Sequence, residues 1–405
     1  MKIILFGAGA SIPFFEQKLT TKYITDEVCS KERWERILGI SWKVSKKHSL
    51  SVNKIVRLIK NIRRSIPDCN FEDIAEVLDK MAVYCNELPA IPITFNNTLK
   101  AFKQCGLIRK KNNMYIDIDL PFLFRCIIAD IFYEMEQKRS SNYETLINKQ
   151  KRFIESMKGN DKENISIVTL NYDDCIYSSV NGLFKTGYID NPEKENRQDF
   201  SGEIFLKAKY TLSFLHGSMR FFDSHFTNKK IETPFSRIEN VGNTKDDHRS
   251  INIDDMSFNT FITTGKNKEQ SFSHIPYSLY YHKMTTDILT HCDELIIVGY
   301  SFNDEHINRL LENFLSIDSM KRMIVIDKYV EDVIKDTDTE FIDALQKICR
   351  GTTKNGDYDD ELQKINNKGY GYLFPKILFY KKGYECFLEE YTNVLCHSHE
   401  CQFQS

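Results

Sequence analysis

MKIILFGAGAS, residues 1–11, opens the chain with a four-residue apolar run, Ile3–Phe6, broken at once by Gly7-Ala8-Gly9. A short apolar run without polar alternation, ending in small residues, reads as a strand buried on both faces that leads into a tight turn. The same grammar returns four times. ISIVTL (165–170) runs into Asn171-Tyr172-Asp173, and Leu212–Leu215 into His216-Gly217. ELIIVG (294–299) runs into Tyr300-Ser301-Phe302, and MIVI (323–326) into Asp327. Helical spacing lies between these runs, as in Tyr277–Thr290 and in Ile307, Leu310, Leu311 and Phe314 behind a cap at Asn303 or Asp304. Short strands alternating with helices predict an α/β fold, a parallel sheet with helices on both faces. Ligands of such sheets gather outside the carboxyl ends of the strands, and every polar segment quoted above sits there.

Residues 31–160 carry helical periodicity instead. Val52, Ile55, Val56, Ile59, Ile62 and Ile66 share one face, and Ile74, Leu78 and Met81 another behind a cap at Asn70. Pro121 opens a helix apolar all round from Phe122 to Tyr133, which predicts burial between neighbours or at a subunit contact. Three parts follow: a discontinuous α/β domain (1–30 and 161–394), a helical insertion (31–160) and a tail (395–405). Residues 11–30 read as polar and aromatic, 186–203 as polar and turn-rich, and 222–272 as a long loop or lid. Lys376–Tyr380 reads as a last strand before a helix to about Val394.

The 405 residues are 41% hydrophobic and include 28 Phe and 20 Tyr, enough apolar material to exclude global disorder. A net charge of -2 gives no overall pull toward nucleic acid or membrane. The 11 Cys are odd in number and form no CxxC pair, which predicts reduced thiols in a cytoplasmic protein. The N-terminal apolar run is too short for a signal peptide, and no run approaches the ~18 residues of a membrane span. Cys396, His397, His399 and Cys401 are metal-capable types, but so close a cluster reads as a frayed tail, and no metal site is expected.

Each polar segment has two readings. Gly7-Ala8-Gly9-Ala10-Ser11 lets a backbone approach a pyrophosphate at a helix N-terminus, or is a plain tight turn. A dehydrogenase fingerprint would place a third Gly where Ile12 stands, which disfavours that enzyme class. Asn171 offers a donor and an acceptor to a ribose hydroxyl or a water, and Asp173 a carboxylate to an amide; either residue also serves as a helix cap. His216 is a general base near its ordinary pKa, or a structural histidine. Gly299 and Ser301 suit ribose or phosphate, or a simple turn; Asp304 and His306 suit capping or a contact between loops. Asp327 suits an adenosine ribose, or is a solvated strand-end acid.

Taken in order, GAGAS (7–11), TLNYD (169–173), LHGS (215–218), GYSFNDEHIN (299–308) and VID (325–327) resemble the silent-information-regulator-like (sirtuin-like) family. The nearest look is to its bacterial antiphage-defence NAD hydrolases, of which the GYSFNDEHIN form is typical. The stretch Ile12-Pro13-Phe14-Phe15 departs from the family's acidic–Phe–Arg ending, and the two CxxC pairs of the protein-deacylating members are missing. The resemblance implies a Rossmann-like fold, NAD as substrate, no zinc, and cleavage of the nicotinamide–ribose bond to nicotinamide and ADP-ribose. It implies Asn171 and His216 as the catalytic pair and Gly7, Ala8, Gly9 and Ser11 around the pyrophosphate. Asp173, Gly299 and Ser301 would also contact NAD, and Asp327 the adenosine ribose. It further implies a homo-oligomer awaiting an activating partner protein or ring-forming ATPase, with the helical block as the place of assembly. An NAD-dependent deacylase or ADP-ribosyltransferase, and a non-catalytic nucleotide-sensing subunit, are the alternatives.

Overall fold

The structure is a computed structural model describing residues 1–16, 20–42, 52–87, 108–111, 114–117, 120–158, 163–180, 182–190, 198–224, 229–232, 258–262, 276–318, 320–328, 344–345, 347–349, 365, 367–374 and 376–400. In chain order the strands are β1 (Lys2–Phe6), β2 (Ile108–Lys111), β3 (Met114–Asp117), β4 (Ile165–Thr169), β5 (Tyr188–Asp190), β6 (Gln198–Phe200) and β7 (Tyr210–Phe214). They continue with β8 (Gly217–Ser224), β9 (Lys229–Glu232), β10 (Phe258–Ile262), β11 (Glu294–Val298), β12 (Arg322–Ile326), β13 (Tyr370–Phe374) and β14 (Ile377–Tyr380).

Seven of these form the central sheet, in the order β13-β14-β12-β11-β1-β4-β7. Every neighbouring pair is parallel except β13–β14. Strands β4 and β11 are buried at all five residues, so both faces of the pleat are covered, the burial that their unalternating sequences predict. Helices Tyr143–Ser156, Cys175–Val180 and Tyr384–Glu400 make one packed group. Its aromatic seam sets the Phe153 ring edge-on to Phe387 at 5.3 Å and Phe6 edge-on to Tyr384 at 5.8 Å. Helices Tyr277–Thr286 and Glu305–Ile317 make a second group, joined through a π-helical turn at Asp287–His291. Ile307, Leu310, Leu311 and Phe314 are buried, as their spacing predicts. The α/β reading therefore holds: a mostly parallel Rossmann-type sheet with helices and a large helical block.

Register decides what meets what. Phe6 stands opposite Thr169 on one side and Val298 on the other. Thr169 stands opposite Phe214, and Val298 opposite Ile326. The segments beginning at Gly7, Leu170, Leu215, Gly299 and Asp327 thus leave one edge of the sheet in line. The chain extends from β1 through β4 to β7 on one side and returns to β11, β12 and β14 on the other. The reversal falls between β1 and β11, where open α/β sheets hold ligands.

Four helices fill most of the described part of 31–160: Lys31–Trp42, Val52–Ser65, Phe71–Glu87 and Leu120–Gln137. The last buries Phe124, Ile127, Ile128, Ile131 and Phe132 inside the chain, so neighbouring elements account for its apolar character. Arg33, buried among Glu27, Asp130 and Glu134, ties the first helix to the last. Several readings need correction. The block also contains the β2–β3 hairpin. Residues 11–30 hold a helix, Thr21–Val28, whose Thr20 cap accepts the Tyr23 N–H at 3.2 Å. Residues 222–272 are not all loop: β8, β9 and β10 form an antiparallel sheet, while 233–257 and 263–275 lie outside the described residues. Residues 186–203 contain the β5–β6 pair. The edge strand β13 was not legible beside β14. The C-terminal helix runs on to Glu400, beyond Val394, so the tail is helical backbone there rather than frayed; Cys401 lies outside the described residues. These elements are short or lack strong apolar contrast, so local pattern marks them poorly.

Among the described residues no helix is long and apolar enough to cross a membrane. Among them, too, no group of three His, Cys, Asp or Glu side chains is placed to hold a metal ion.

Candidate active site

A cavity of about 970 Å³ opens at the carboxyl edge of the sheet. Its floor takes Gly7, Ala8 and Ser11 from the loop after β1, and Asn171 and Asp173 from the loop after β4. His216 comes from the turn after β7, and Ser301 and Asp304 from the loop after β11. Asn171 and His216, 45 positions apart in sequence, therefore face one space, because β4 and β7 are adjacent and in register.

Asn171 is 6% exposed. Its Nδ2 donates to the Gly7 carbonyl at 2.9 Å and to Ser11 Oγ at 2.8 Å. Ser11 Oγ donates in turn to Asp173 Oδ2 at 2.6 Å, and Asp173 Oδ1 accepts the Cys175 N–H at 3.0 Å. This chain of bonds uses both amide hydrogens of Asn171, so Oδ1 is the polar atom of that side chain left for a ligand. Asp173 caps the helix Cys175–Val180 and anchors Ser11, which is the capping reading of that residue. Burial pushes the Asp173 carboxyl up, and the Ser11 and Cys175 bonds pull it partly back. Burial also raises the Cys175 thiol well above its ordinary value, so it is no nucleophile at neutral pH.

The glycine loop works differently from a free phosphate cradle. The Gly7 N–H donates to Val298 O at 2.8 Å and the Gly9 N–H to Gly299 O at 2.8 Å. Ala10 and Ser11 N–H groups bond back to Gly7 and Ala8 carbonyls. Ala8, exposed, has the one amide of this loop without a backbone partner among the described residues. The small residues are needed because two loops touch: a Cβ on Gly7 would stand 2.5 Å from Gly299 O, and one on Gly9 2.9 Å from Gly299 Cα. No α-helix begins here either. Short 3₁₀ turns at Ala8–Ala10 and Ile12–Phe14 follow β1, so the expected helix dipole is missing from this loop.

His216 is 5% exposed, and its Nε2 lies 3.3 Å from Asp304 Oδ2. Asp304 Oδ1 meanwhile caps the helix Glu305–Ile317, accepting the His306 and Ile307 N–H groups at 3.2 and 3.4 Å. Tyr300 OH braces the same loop by donating to Asn308 Oδ1 at 3.1 Å. Phe302 holds a left-handed backbone at φ 57°, strain of a kind that gathers at ligand-binding loops. Ser301 lines the cavity; Gly9, Gly299 and Asp327 do not. Asp327 sits at the end of β12, its Oδ1 accepting the Lys328 N–H at 2.7 Å.

The far wall carried no motif and was not foreseen. Arg63, Asn70, Phe71 and Glu72 of the helical block line the cavity, with Thr21, Lys22 and Phe132. Asn70 caps its helix as expected, accepting the Glu72 and Asp73 N–H groups at 2.8 and 3.1 Å. Tyr172, between the two polar residues of its loop, reaches Glu72 Oε1 at 3.2 Å and packs edge-on against Phe132 at 5.7 Å. A hydrophobic helix face announces burial, but nothing in it tells which distant loop it covers.

Behind this wall Glu136 is 8% exposed, bonded by Arg139 Nη2 at 2.7 Å. Burial, opposed by Arg139 and reinforced by Asp174 and Asp173, pushes its carboxyl up to about 6. Because the folded value lies above the unfolded one, this group's contribution is fully present below about pH 4.5 and lost as pH rises through about 6. Relative to Glu136→Gln, the native chain is expected to lose about 2 kcal/mol across that window. Thermal midpoints of both proteins from pH 4 to 7.5 check this; parallel profiles would refute it.

A family model described as SIR2-like domain matches residues 165–346. Among solved structures the chain is similar to one described as "Structural Basis for the Mechanism and Regulation of Sir2 Enzymes". Identity is 11% and the TM-score 0.33, over 86% of this chain and 92% of that one. Comparison with curated proteins finds no match. The matched residues hold Asn171, His216 and Asp304 but not β1, which the sheet itself inserts between β4 and β11.

Proposed function

We propose that the protein cleaves the nicotinamide–ribose bond of NAD by hydrolysis, giving nicotinamide and ADP-ribose. The observation that carries this reading is the convergence of Asn171 and His216 on a cavity floored by Gly7, Ala8 and Ser11. The SIR2-like match over 165–346 supports an NAD-using enzyme. A cavity of about 970 Å³ is at the upper end of the range common for ligand sites, which suits a dinucleotide.

In this reading the bond between ribose C1′ and the nicotinamide nitrogen breaks, and its electron pair leaves with nicotinamide. Water oxygen bonds to C1′, and the water proton passes to His216. Asn171 Oδ1 accepts a hydrogen bond from that water or from a ribose hydroxyl, held in place by its bonds to Gly7 and Ser11. Asp173 acts behind Ser11, holding the loop. Ala8 and Ser301 contact the phosphates, Gly9 and Gly299 shape the turns that present them, and Asp327, outside the cavity lining, has no contact with the ligand in this reading. The wall from Arg63 to Glu72 keeps bulk water from the reacting carbon, which favours one bound water over competing acceptors.

The same reading places the protein in antiphage defence, where NAD depletion aborts infection. It would then be a cytoplasmic homo-oligomer, partly active when purified and fully released by a partner protein or ring-forming ATPase. Purified protein incubated with NAD is expected to release nicotinamide and ADP-ribose in equal amounts. Sedimentation of the same sample would show which assembly is active. NAD left intact by every assembly would reject the hydrolase reading.

A further inference from the structure

β7 and β11 are not neighbours; β4 and β1 lie between them. Strands three places apart are about 14 Å apart. His216 and Asp304 nevertheless stand 3.3 Å from one another, with side chains 6% and 13% exposed. The two loops therefore arch over the ends of β1 and β4 and meet above Gly7 and Asn171. Capping does not require this meeting. It uses Oδ1 of Asp304, and Ser, Thr or Asn would cap as well. The second oxygen, Oδ2, is the one beside the imidazole. A carboxylate largely removed from water beside a ring nitrogen favours a proton on that nitrogen, and so settles both tautomer and ring orientation.

We propose that Asp304 is a positioning residue that holds the His216 ring with Nε2–H toward its carboxylate and so fixes the orientation in which the imidazole faces the cavity. This rests on the reading of the cavity as an NAD-cleaving site. It assigns Asp304 two tasks on its two oxygens: one starts the helix Glu305–Ile317, the other orients the base. Opening of the loop after β11 would thereby disorient His216, which couples the shape of the cavity mouth to chemistry on the opposite side of the sheet edge.

Asp304→Asn separates the tasks, because Asn caps helices as well as Asp but cannot present a carboxylate to the ring. Two measurements on the full chain decide the matter. ¹⁵N shifts of the His216 ring, assigned by their loss in His216→Gln, report the tautomer. Steady-state NAD cleavage separates kcat from KM. The expected result is an Nε2–H pattern in the native protein that changes in Asp304→Asn. The kcat falls at least about tenfold, the scale of a disoriented base, while KM stays within about threefold and the thermal midpoint is kept. Unchanged ring shifts, or an unchanged kcat, would overturn the proposal. If the native chain cleaves no NAD in any assembly, the hydrolase reading fails, and the ring shifts still decide whether Asp304 sets the tautomer.

Discussion

Nicotinamide release from NAD is expected to fall at least about a hundredfold in His216→Ala, the scale on which a general base acts. His216 is the cleaner of the two central probes. Removing Asn171 would take one of two donors from the Gly7 carbonyl and the Asn171 donor from Ser11 Oγ, so that variant would disturb the loop as well as the chemistry. Truncating His216 removes a ring that lines the cavity and leaves the Asn171–Ser11–Asp173 chain of bonds intact. Stability should change by only about 1 kcal/mol, the ordinary size for a point substitution. Rates measured at matched assembly state, with folding checked by thermal midpoint, separate the two effects. A variant that cleaves NAD at the native rate would remove His216 from the reaction. The remaining residues would then describe a nucleotide-binding cavity without its proposed base.

The largest loss of stability is expected at Gly299, where the loop after β11 packs against the glycine loop after β1. Its backbone is left-handed at φ 59°, and a Cβ there would stand 2.2 Å from the Ala10 nitrogen and 2.4 Å from the Gly9 carbonyl carbon. Those atoms cannot withdraw easily. The Gly9 N–H is bonded to Gly299 O, and the Gly299 N–H to Ile326 O, both at 2.8 Å. Gly299→Ala therefore combines backbone strain with a clash between two anchored loops, and should cost about 3 kcal/mol or more. Gly182→Ala is the control: its φ is 76°, but a Cβ there meets nothing within 4 Å. That variant should lose only the ~1 kcal/mol of a left-handed alanine. Thermal midpoints of the two variants, measured side by side, test this. Equal losses would mean that the contact between the loops after β1 and β11 has no energetic weight.

Both expectations depend on the same architectural fact, the register that sets Phe6, Thr169, Phe214, Val298 and Ile326 in line. The five segments that follow them were legible as strand ends because burial on both faces forces a continuous apolar run, a property of a few adjacent residues. Parallel pairing was legible for the same reason, and so were a cap at Asn70 and one at Asn303 or Asp304, of which the structure uses Asp304; caps need only residues one turn away. The strands β2, β3, β5, β6, β8, β9, β10 and β13 were not legible, since they lack the unbroken apolar run that marks a strand buried on both faces.

What Met1–Ser11 and its four companions determined by themselves was an α/β sheet whose polar segments all lie at one edge. Only the tertiary structure decided that Gly7 and Gly9 are small because Gly299 lies against them, that Arg63 and Glu72 wall the cavity, and that Asp304 reaches His216. Those pairs are separated by 88 to 292 positions in sequence, a reach no local pattern has. They come together because strand order and register bring distant loops to one edge, where close packing sets them in contact.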